Sequence, residues 1–532
     1  MDDPVPPWVS RWGGYAGVLC FLAVLWMPTP EGLSSAGQRM AAVTALMGIF
    51  WVTQALPMEV TSLLPLALFP VLGILSAKDV SASYFSDSSF LYLGGFVLAL
   101  GIERWGLHRR FALRIVTATG TGVRTIILGF MLATFGLSMW ISNTAATLLM
   151  LPIALALLTS LDQIAQVSEE STTIDPATTK MGMALMLGIG YAATLGGMAT
   201  LVGTPTNVVY LEVIQKQFPE APELSAGQWI ATWTPCSLAF LLLTWLLLTC
   251  SLQRPTGLAQ LDRTYFREQL RGLGAMQPGE RWMLAVFTIT ALLWLTRTGF
   301  DVGGGWTLPG WNVLAEHWLA RLDITTGQKN WINDSTVAML MALVMFVIPV
   351  RTQADRPTEP LMDWATASRL PWGILLLFGG GFAIADATRA TGLAEWSGAW
   401  LAESTQGWPT WLLIGVICLL VTFLSEFTSN VATANALLPI AAGLAIAMEV
   451  DPRLLMLPAT LAASNGFMLP IGTPPNAIVF GTGRIRIGQM VKYGFLLDVL
   501  GVGLIVLATY MLLVPQLGIG LNGLPDWARP AP

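Results

Sequence analysis

The chain has 532 residues, of which 54% are hydrophobic and only 11% charged, well under the roughly 25% charge of an ordinary water-soluble domain. That balance excludes water as its main solvent and leaves no room for a large soluble domain. The net charge of −5 is spread over connections with no basic run, which argues against nucleic acid as a partner.

In chain order, Asp2 and Asp3 precede a single Arg11, and no small-residue cleavage site follows Met27, so the first apolar segment reads as a retained helix and not a signal peptide. Hydropathy and turn signals give about eleven crossings, near 14–27, 38–56, 60–75, 90–104, 181–214, 229–252, 282–299, 334–350, 372–389, 453–482 and 495–515. Two segments do not fit as spans. Around 123–159 and 410–448 the apolar stretch is too long for one helix, and a polar Ser-Asn pair interrupts its middle. Both are expected to be re-entrant helical hairpins whose tips sit near the membrane centre.

With the N-terminus in the cytoplasm, the inside connections hold Arg104, Arg109, Arg110 and Arg114, then Arg254, Arg263, Arg267, Arg271 and Arg281, then Arg351, Arg356 and Arg369, then Arg484, Arg486 and Lys492. The outside connections are far poorer in Lys and Arg, so the positive-inside rule puts the C-terminus outside. An odd number of crossings separates the hairpins, which makes the two halves inverted repeats. The expected fold class is an all-α polytopic membrane protein of about eleven transmembrane helices plus two re-entrant hairpins. Its expected parts are scaffold helices over 1–120, a first-repeat transport part over 121–252 and a cytoplasmic linker over 253–281. Second-repeat scaffold helices over 282–408 and a second-repeat transport part over 409–532 complete it.

The hairpins carry one motif twice. Ser138-Met139-Trp140-Ile141-Ser142-Asn143-Thr144-Ala145 runs to Pro152-Ile153, and Ser425-Glu426-Phe427-Thr428-Ser429-Asn430-Val431-Ala432 runs to Pro439-Ile440. Ser precedes Asn by five positions in both (138 to 143, 425 to 430), and Pro follows Asn by nine (143 to 152, 430 to 439). Further on, Gly203-Thr204-Pro205-Thr206-Asn207 is matched by Gly472-Thr473-Pro474-Pro475-Asn476, and upstream Gly94-Gly95 by Gly379-Gly380-Gly381. The longer gap in the first half falls at a polar insert, 162–180, expected to be a surface loop. A Gly-Thr-Pro sequence inside an apolar span breaks the helix and exposes backbone amides and carbonyls, which a bound ion or solute can satisfy.

These motifs resemble those of the divalent anion/sodium symporter family, the INDY-type di- and tricarboxylate transporters, and the likeness covers nearly the whole chain. It implies sodium-coupled symport of a di- or tricarboxylate by a plasma (inner) membrane homodimer, each protomer moving a transport part against a scaffold in an elevator motion. It implies one sodium site at Ser138, Ser142, Asn143 and the Gly203 carbonyl, and a second at Ser425, Asn430 and the Gly472 carbonyl. It also implies substrate contacts at Asn143, Thr144, Asn430, Val431, Thr204, Pro205, Thr473 and Pro474. The second tip departs from the signature, with Val431 where the family has Thr, so one hydroxyl to substrate is missing.

Neither tip nor either Gly-Thr-Pro loop contains Lys or Arg. Neutralising a dicarboxylate then falls to helix N-termini, about half a positive charge each, and to sodium ions held by neutral oxygens. Sodium-independent exchange and sulfate symport remain the alternatives. The sequence shows no paired nucleophile and base, no organic-cofactor fingerprint and no C-x-x-C spacing among Cys20, Cys236, Cys250 and Cys418, so enzyme, redox and zinc chemistry drop out. His108 and His317 read as residues of polar connections, and Trp105, Trp294, Trp396 and Trp411 as interface anchors. Asp386 and Arg389 read as a pair three apart on one helix, Glu59 as a helix N-terminal charge, and Glu426 as a structural carboxyl before a proton carrier.

Overall fold

The structure, a computed structural model, describes residues 7–120, 122–168, 176–253, 264–301, 307–322, 332–351, 358–521 and 523–529. The described residues are helical almost throughout. Helices α1 (Pro7–Trp26) and α2 (Ser35–Thr53) pack along each other and are followed by the short α3 (Met58–Thr61), α4 (Leu64–Val71) and α5 (Ala77–Ala82). Next come α6 (Asp87–Arg104), the amphipathic α7 (Leu107–Thr119), and the first hairpin, α8 (Val123–Ser138) and α9 (Asn143–Ser168). A broken span follows as α10 (Pro176–Met198) and α11 (Pro205–Gln217), then α12 (Ala226–Thr249), α13 (Thr264–Gly272), α14 (Pro278–Leu295), α15 (Trp311–Ala320) and α16 (Asp334–Val347). The last third holds α17 (Trp364–Ala367), α18 (Trp372–Ala390) and α19 (Leu393–Ser404), then the second hairpin, α20 (Thr410–Phe427) and α21 (Asn430–Ala447). A second broken span, α22 (Arg453–Ala463) and α23 (Pro474–Phe480), precedes α24 (Ile487–Ala508).

Among the described residues nine helical stretches are long and apolar enough to cross a membrane, and four shorter apolar helices accompany them. The all-α polytopic expectation holds. Each expected hairpin is a pair of helices packed on one another around a short turn, and each expected Gly-Thr-Pro break interrupts its span.

The chain divides into two compact units. One gathers Met1–Ser89, Pro205–Pro222 and Pro371–Pro532, and the other Phe90–Thr204 and Glu223–Leu370. Each unit holds one hairpin. In each, the helix that leads into the break is the most enclosed: α10 is buried at every position from Met181 to Met198, and α22 from Arg453 to Ala463. A helix apolar on all sides needs such enclosure, and it leaves the broken ends with protein neighbours in place of lipid.

Glycines set the close approaches. A Cβ on Gly94 of α6 would lie 2.7 Å from the Ala338 backbone of α16, and one on Gly381 of α18 would strike the Asn435 side chain of α21. On α19 and α21, Gly398 and Gly443 bring backbone against backbone, with a Cβ on Gly398 meeting the Gly443 carbonyl group. Small residues allow such contact in membrane helices.

Several local expectations change. The insert at 162–180 is not simply a loop: α9 runs to Ser168 and α10 starts at Pro176, so only 169–175 lie outside both helices, and those fall outside the described residues. His108 is buried in α7, its Nδ1 at 3.1 Å from the Ile102 carbonyl, and His317 belongs to α15. Burial lowers the His108 pKa, keeping the ring neutral. Asp386 pairs with Lys216 of α11 and not with Arg389, whose guanidinium donates to the Lys216 carbonyl. Trp294 is no interface anchor; it is buried, donates to the Asp334 carbonyl at 3.0 Å and stacks on Trp140 with ring centroids 6.3 Å apart. Glu59 does fall in the first turn of α3. Of the basic residues expected inside, Arg254, Arg263 and Arg356 lie outside the described residues.

Replacing Gly398 by Val should force α19 and α21 apart and cost about 1–3 kcal/mol, as overpacking does. The check is the melting temperature of the purified protein in detergent, expected to fall by several degrees; an unchanged value would contradict the backbone contact.

Candidate functional site

The first tip is built by α8 ending at Ser138 and α9 starting at Asn143. The fully buried Ser138 Oγ lies 2.7 Å from Asn143 Oδ1 and 2.6 Å from the Ala193 carbonyl oxygen of α10. With the Asn143 amide in this orientation, one hydroxyl proton serves two acceptors and one oxygen-to-oxygen contact has no proton in it. Gly203, within the break, lies close by: a Cβ there would be 2.7 Å from the Gly197 carbonyl oxygen and 3.0 Å from that of Ser138, and a Cβ on Gly197 would strike the Asn143 amide. Glycine is needed at both positions for the break to close over the tip.

The second tip repeats this atom for atom. Buried Ser425 Oγ lies 2.7 Å from Asn430 Oδ1 and 2.5 Å from the Ala463 carbonyl oxygen of α22. Two clusters of three neutral oxygens, each made of a hydroxyl, an amide oxygen and a helix carbonyl, therefore stand at equivalent places in the two units. Hard monovalent cations prefer such oxygens, and among the described residues no cluster of His, Cys, Asp and Glu suits a transition metal.

Other expected residues take distinct roles. Ser142 Oγ caps α9 by accepting from Ala145 N at 3.2 Å, and Thr473 Oγ1 caps α23 by accepting from Asn476 N at 3.4 Å. Asn143, Thr144 and Asn430 are half-buried, while Val431 is 6% exposed and Thr204 and Thr473 are each 3% exposed. Helices α9, α11, α21 and α23 begin at Asn143, Pro205, Asn430 and Pro474, so four helix N-termini start at motif residues. They supply partial positive charge where the sequence has no Lys or Arg.

The two breaks are held by different chemistry. At the first, carbonyls are taken up by neutral donors: Trp229 Nε1 donates to Met198 O at 3.1 Å, Thr234 Oγ1 to Ala199 O at 3.1 Å, and Thr200 Oγ1 to Met139 O in the tip turn. Thr200 Oγ1 also accepts from Gly203 N at 3.0 Å, so one side chain ties tip to break. At the second, amides are taken up by carboxylates. Glu426 accepts from Met468 N at 2.6 Å and Leu469 N at 2.8 Å, and Asp498 of α24 accepts from Phe467 N at 2.9 Å. Asn476 Nδ2 donates to Leu469 O at 3.1 Å and Gly466 O at 3.3 Å. In lipid each such group left unmade would cost several kcal/mol.

Residues 9–515 match the family model described as the sodium:sulfate symporter transmembrane region. The chain belongs to that family. It is 39% identical over 507 residues, 95% of this chain and 92% of the relative, to the sodium-dependent dicarboxylate transporter SdcS of Staphylococcus saprophyticus. It is 38% identical over the same span to the protein of that name from Staphylococcus aureus. Among solved structures it resembles MtrF of Neisseria gonorrhoeae, described as illuminating a class of antimetabolite efflux pumps, with a TM-score of 0.51, 12% identity and coverage of 96% of this chain and 97% of that one. That last likeness speaks to the fold alone. A member of the sodium:sulfate symporter family, the chain is an integral membrane transporter.

Reasoning from sequence missed Ala193, Ala463, Thr200, Trp229, Thr234 and Asp498 at this site. Backbone carbonyls carry no side-chain signature, and Asp498 lies in an apolar helix with no motif around it. Replacing Thr200 by Val should leave a folded protein and raise the sodium concentration for half-maximal uptake about tenfold, as loss of a supporting contact does at metal sites. An unchanged sodium dependence would remove Thr200 from the support of the first tip.

Proposed function

We propose that this chain carries sodium and a dicarboxylate together across the membrane, with each Ser-Asn tip holding one sodium ion. The observation that carries this reading is the duplicated triad Ser138–Asn143–Ala193 and Ser425–Asn430–Ala463, in which one hydroxyl proton serves two acceptor oxygens. A sodium ion among those oxygens removes the repulsion a single proton leaves. Sodium dependence and a dicarboxylate substrate, both named for the staphylococcal relatives, agree with this oxygen chemistry.

Coupling follows from charge. A dicarboxylate brings about two negative charges to a region furnished with helix N-termini and bound cations, so anion and cation raise each other's affinity by the same factor. Any excess of positive charge moving inward draws on the membrane potential at about 2.3 kcal/mol per charge per 100 mV.

The reading extends to the expected arrangement: a homodimer in the plasma (inner) membrane, N-terminus inside and C-terminus outside, moving its substrate by an elevator step. Support for the orientation comes from exposed Arg109, Arg114, Arg267, Arg271 and Arg281 in and around α7, α13 and α14, a basic set suited to the cytoplasmic side.

Replacing Asn143 or Asn430 by Ala, one at a time, should abolish sodium-dependent succinate uptake into proteoliposomes while the protein stays folded by size-exclusion chromatography. Normal uptake by either variant removes that residue from the site. Val431→Thr restores the family hydroxyl and should reorder the rates for succinate, citrate and sulfate more than it changes sodium dependence. Unchanged relative rates would count against contact between position 431 and substrate.

A further inference from the structure

Behind the second break lies a group of buried oxygens that the Ser425–Asn430–Ala463 triad does not use. Glu426 of α20 and Asp498 of α24 are both fully buried, and their side chains meet. Among the described residues neither forms an ion pair with Lys, Arg or His. Three backbone N–H groups serve the pair: Met468 and Leu469 donate to Glu426, and Phe467 to Asp498 Oδ1. Beyond its contact with Glu426, Asp498 Oδ2 has no hydrogen-bond partner among the described residues.

Asn465, whose amide packs against Gly501 of α24, adds a buried oxygen beside the same helix that carries Asp498. Its Nδ2 donates to the Asp498 carbonyl at 2.9 Å and to Thr422 Oγ1 at 3.3 Å, while the Thr422 hydroxyl spends its own proton on the Ala462 carbonyl at 3.2 Å. Thr422 Oγ1 must therefore accept from Asn465, which fixes the amide orientation and leaves Asn465 Oδ1 fully buried without a donor. Two touching carboxyls and a buried amide oxygen without a donor, with no basic side chain paired to them among the described residues, call for a shared proton or a metal ion between them. Apolar residues would have packed there at lower cost.

We propose that Asp498, Glu426 and Asn465 form a further site for a monovalent alkali cation, separate from the Ser-Asn triads. Carboxylate and amide oxygens are hard ligands, which favours an alkali cation over a transition metal, and their small number disfavours calcium, which takes six to eight. The site is a bridge between helices. A cation there fixes the carboxylates that hold the Phe467, Met468 and Leu469 amides, and so sets the backbone of the second break before substrate arrives. Sodium is named as the ion on the strength of the coupled-transport reading above.

The test uses the purified full-length chain in detergent with no carboxylate present. Thermal stabilisation is titrated with sodium chloride against choline chloride at constant ionic strength, at three pH values spanning neutrality. Asp498→Asn and Asn465→Ala should each weaken the apparent sodium affinity about tenfold or more at every pH. In a Ser138→Ala/Ser425→Ala background a residual sodium response should remain, and Asp498→Asn should remove it. A wild-type sodium response in both single variants overturns the proposal. So does an Asp498→Asn variant that alters only the pH profile, since the pair would then share a proton and not a metal ion. If Asp498→Asn does not fold, Asn465→Ala, which keeps both carboxylates, decides the matter alone. Absent carboxylate uptake alongside sodium binding lost in these variants would refute the transport reading and leave the cation site standing.

Discussion

A helix broken inside a membrane has amide and carbonyl groups that lipid cannot satisfy, and that constraint organises both units of this protein. The breaks at Ala199–Thr204 and Ser464–Thr473 would be prohibitive if exposed to hydrocarbon. The fold meets the cost by burying the two helices that lead into them, α10 and α22, at almost every position. It then brings a hairpin tip to each break. Ser138 reaches the Ala193 carbonyl and Ser425 the Ala463 carbonyl, so tip and broken span stabilise one another. The same contact that satisfies the backbone gathers three oxygens around one proton, the feature on which the proposed sodium sites rest.

The duplication is close at the triads and lost around them. Position 139 is Met in the first tip, and the equivalent position 426 is Glu in the second. The first break is supported by Thr200, Trp229 and Thr234, all neutral, and the second by Glu426 and Asp498. The first break is held by neutral side chains, while the second adds a buried acidic pair to the neutral Asn476, so the surroundings of the two triads differ in their acidic groups. Cation affinity at the second should depend on the charge state and occupancy of its carboxylate pair, while the first answers to hydroxyl and indole positions.

Much of this was legible in the sequence because the chemistry is written in side chains at short spacing. The five-residue step from Ser to Asn matches a hydrogen bond across the tip turn in both halves. The Gly-Thr-Pro sequences fall where the spans break, since Pro205 and Pro474 each start a new helix. What could not be read was long-range. The carbonyls of Ala193 and Ala463 have no signature, and Asp498 meets Phe467 across 31 positions. Trp294 resembles an interface residue by its place near a span end, yet packing against Trp140 buries it. Asp386 and Arg389 have the spacing of a helical pair, but Lys216 from another helix takes the carboxylate.

The account's central claim is that each serine–asparagine–carbonyl triad binds a sodium ion. The most direct measurement is a pair of high-resolution cryo-electron microscopy maps of the purified protein, one in sodium chloride and one in choline chloride. The account predicts sodium-dependent density among Ser138 Oγ, Asn143 Oδ1 and the Ala193 carbonyl, and again among Ser425 Oγ, Asn430 Oδ1 and the Ala463 carbonyl. Identical maps, with each asparagine amide turned so that its nitrogen donates to the serine and nothing lies between them, would contradict it.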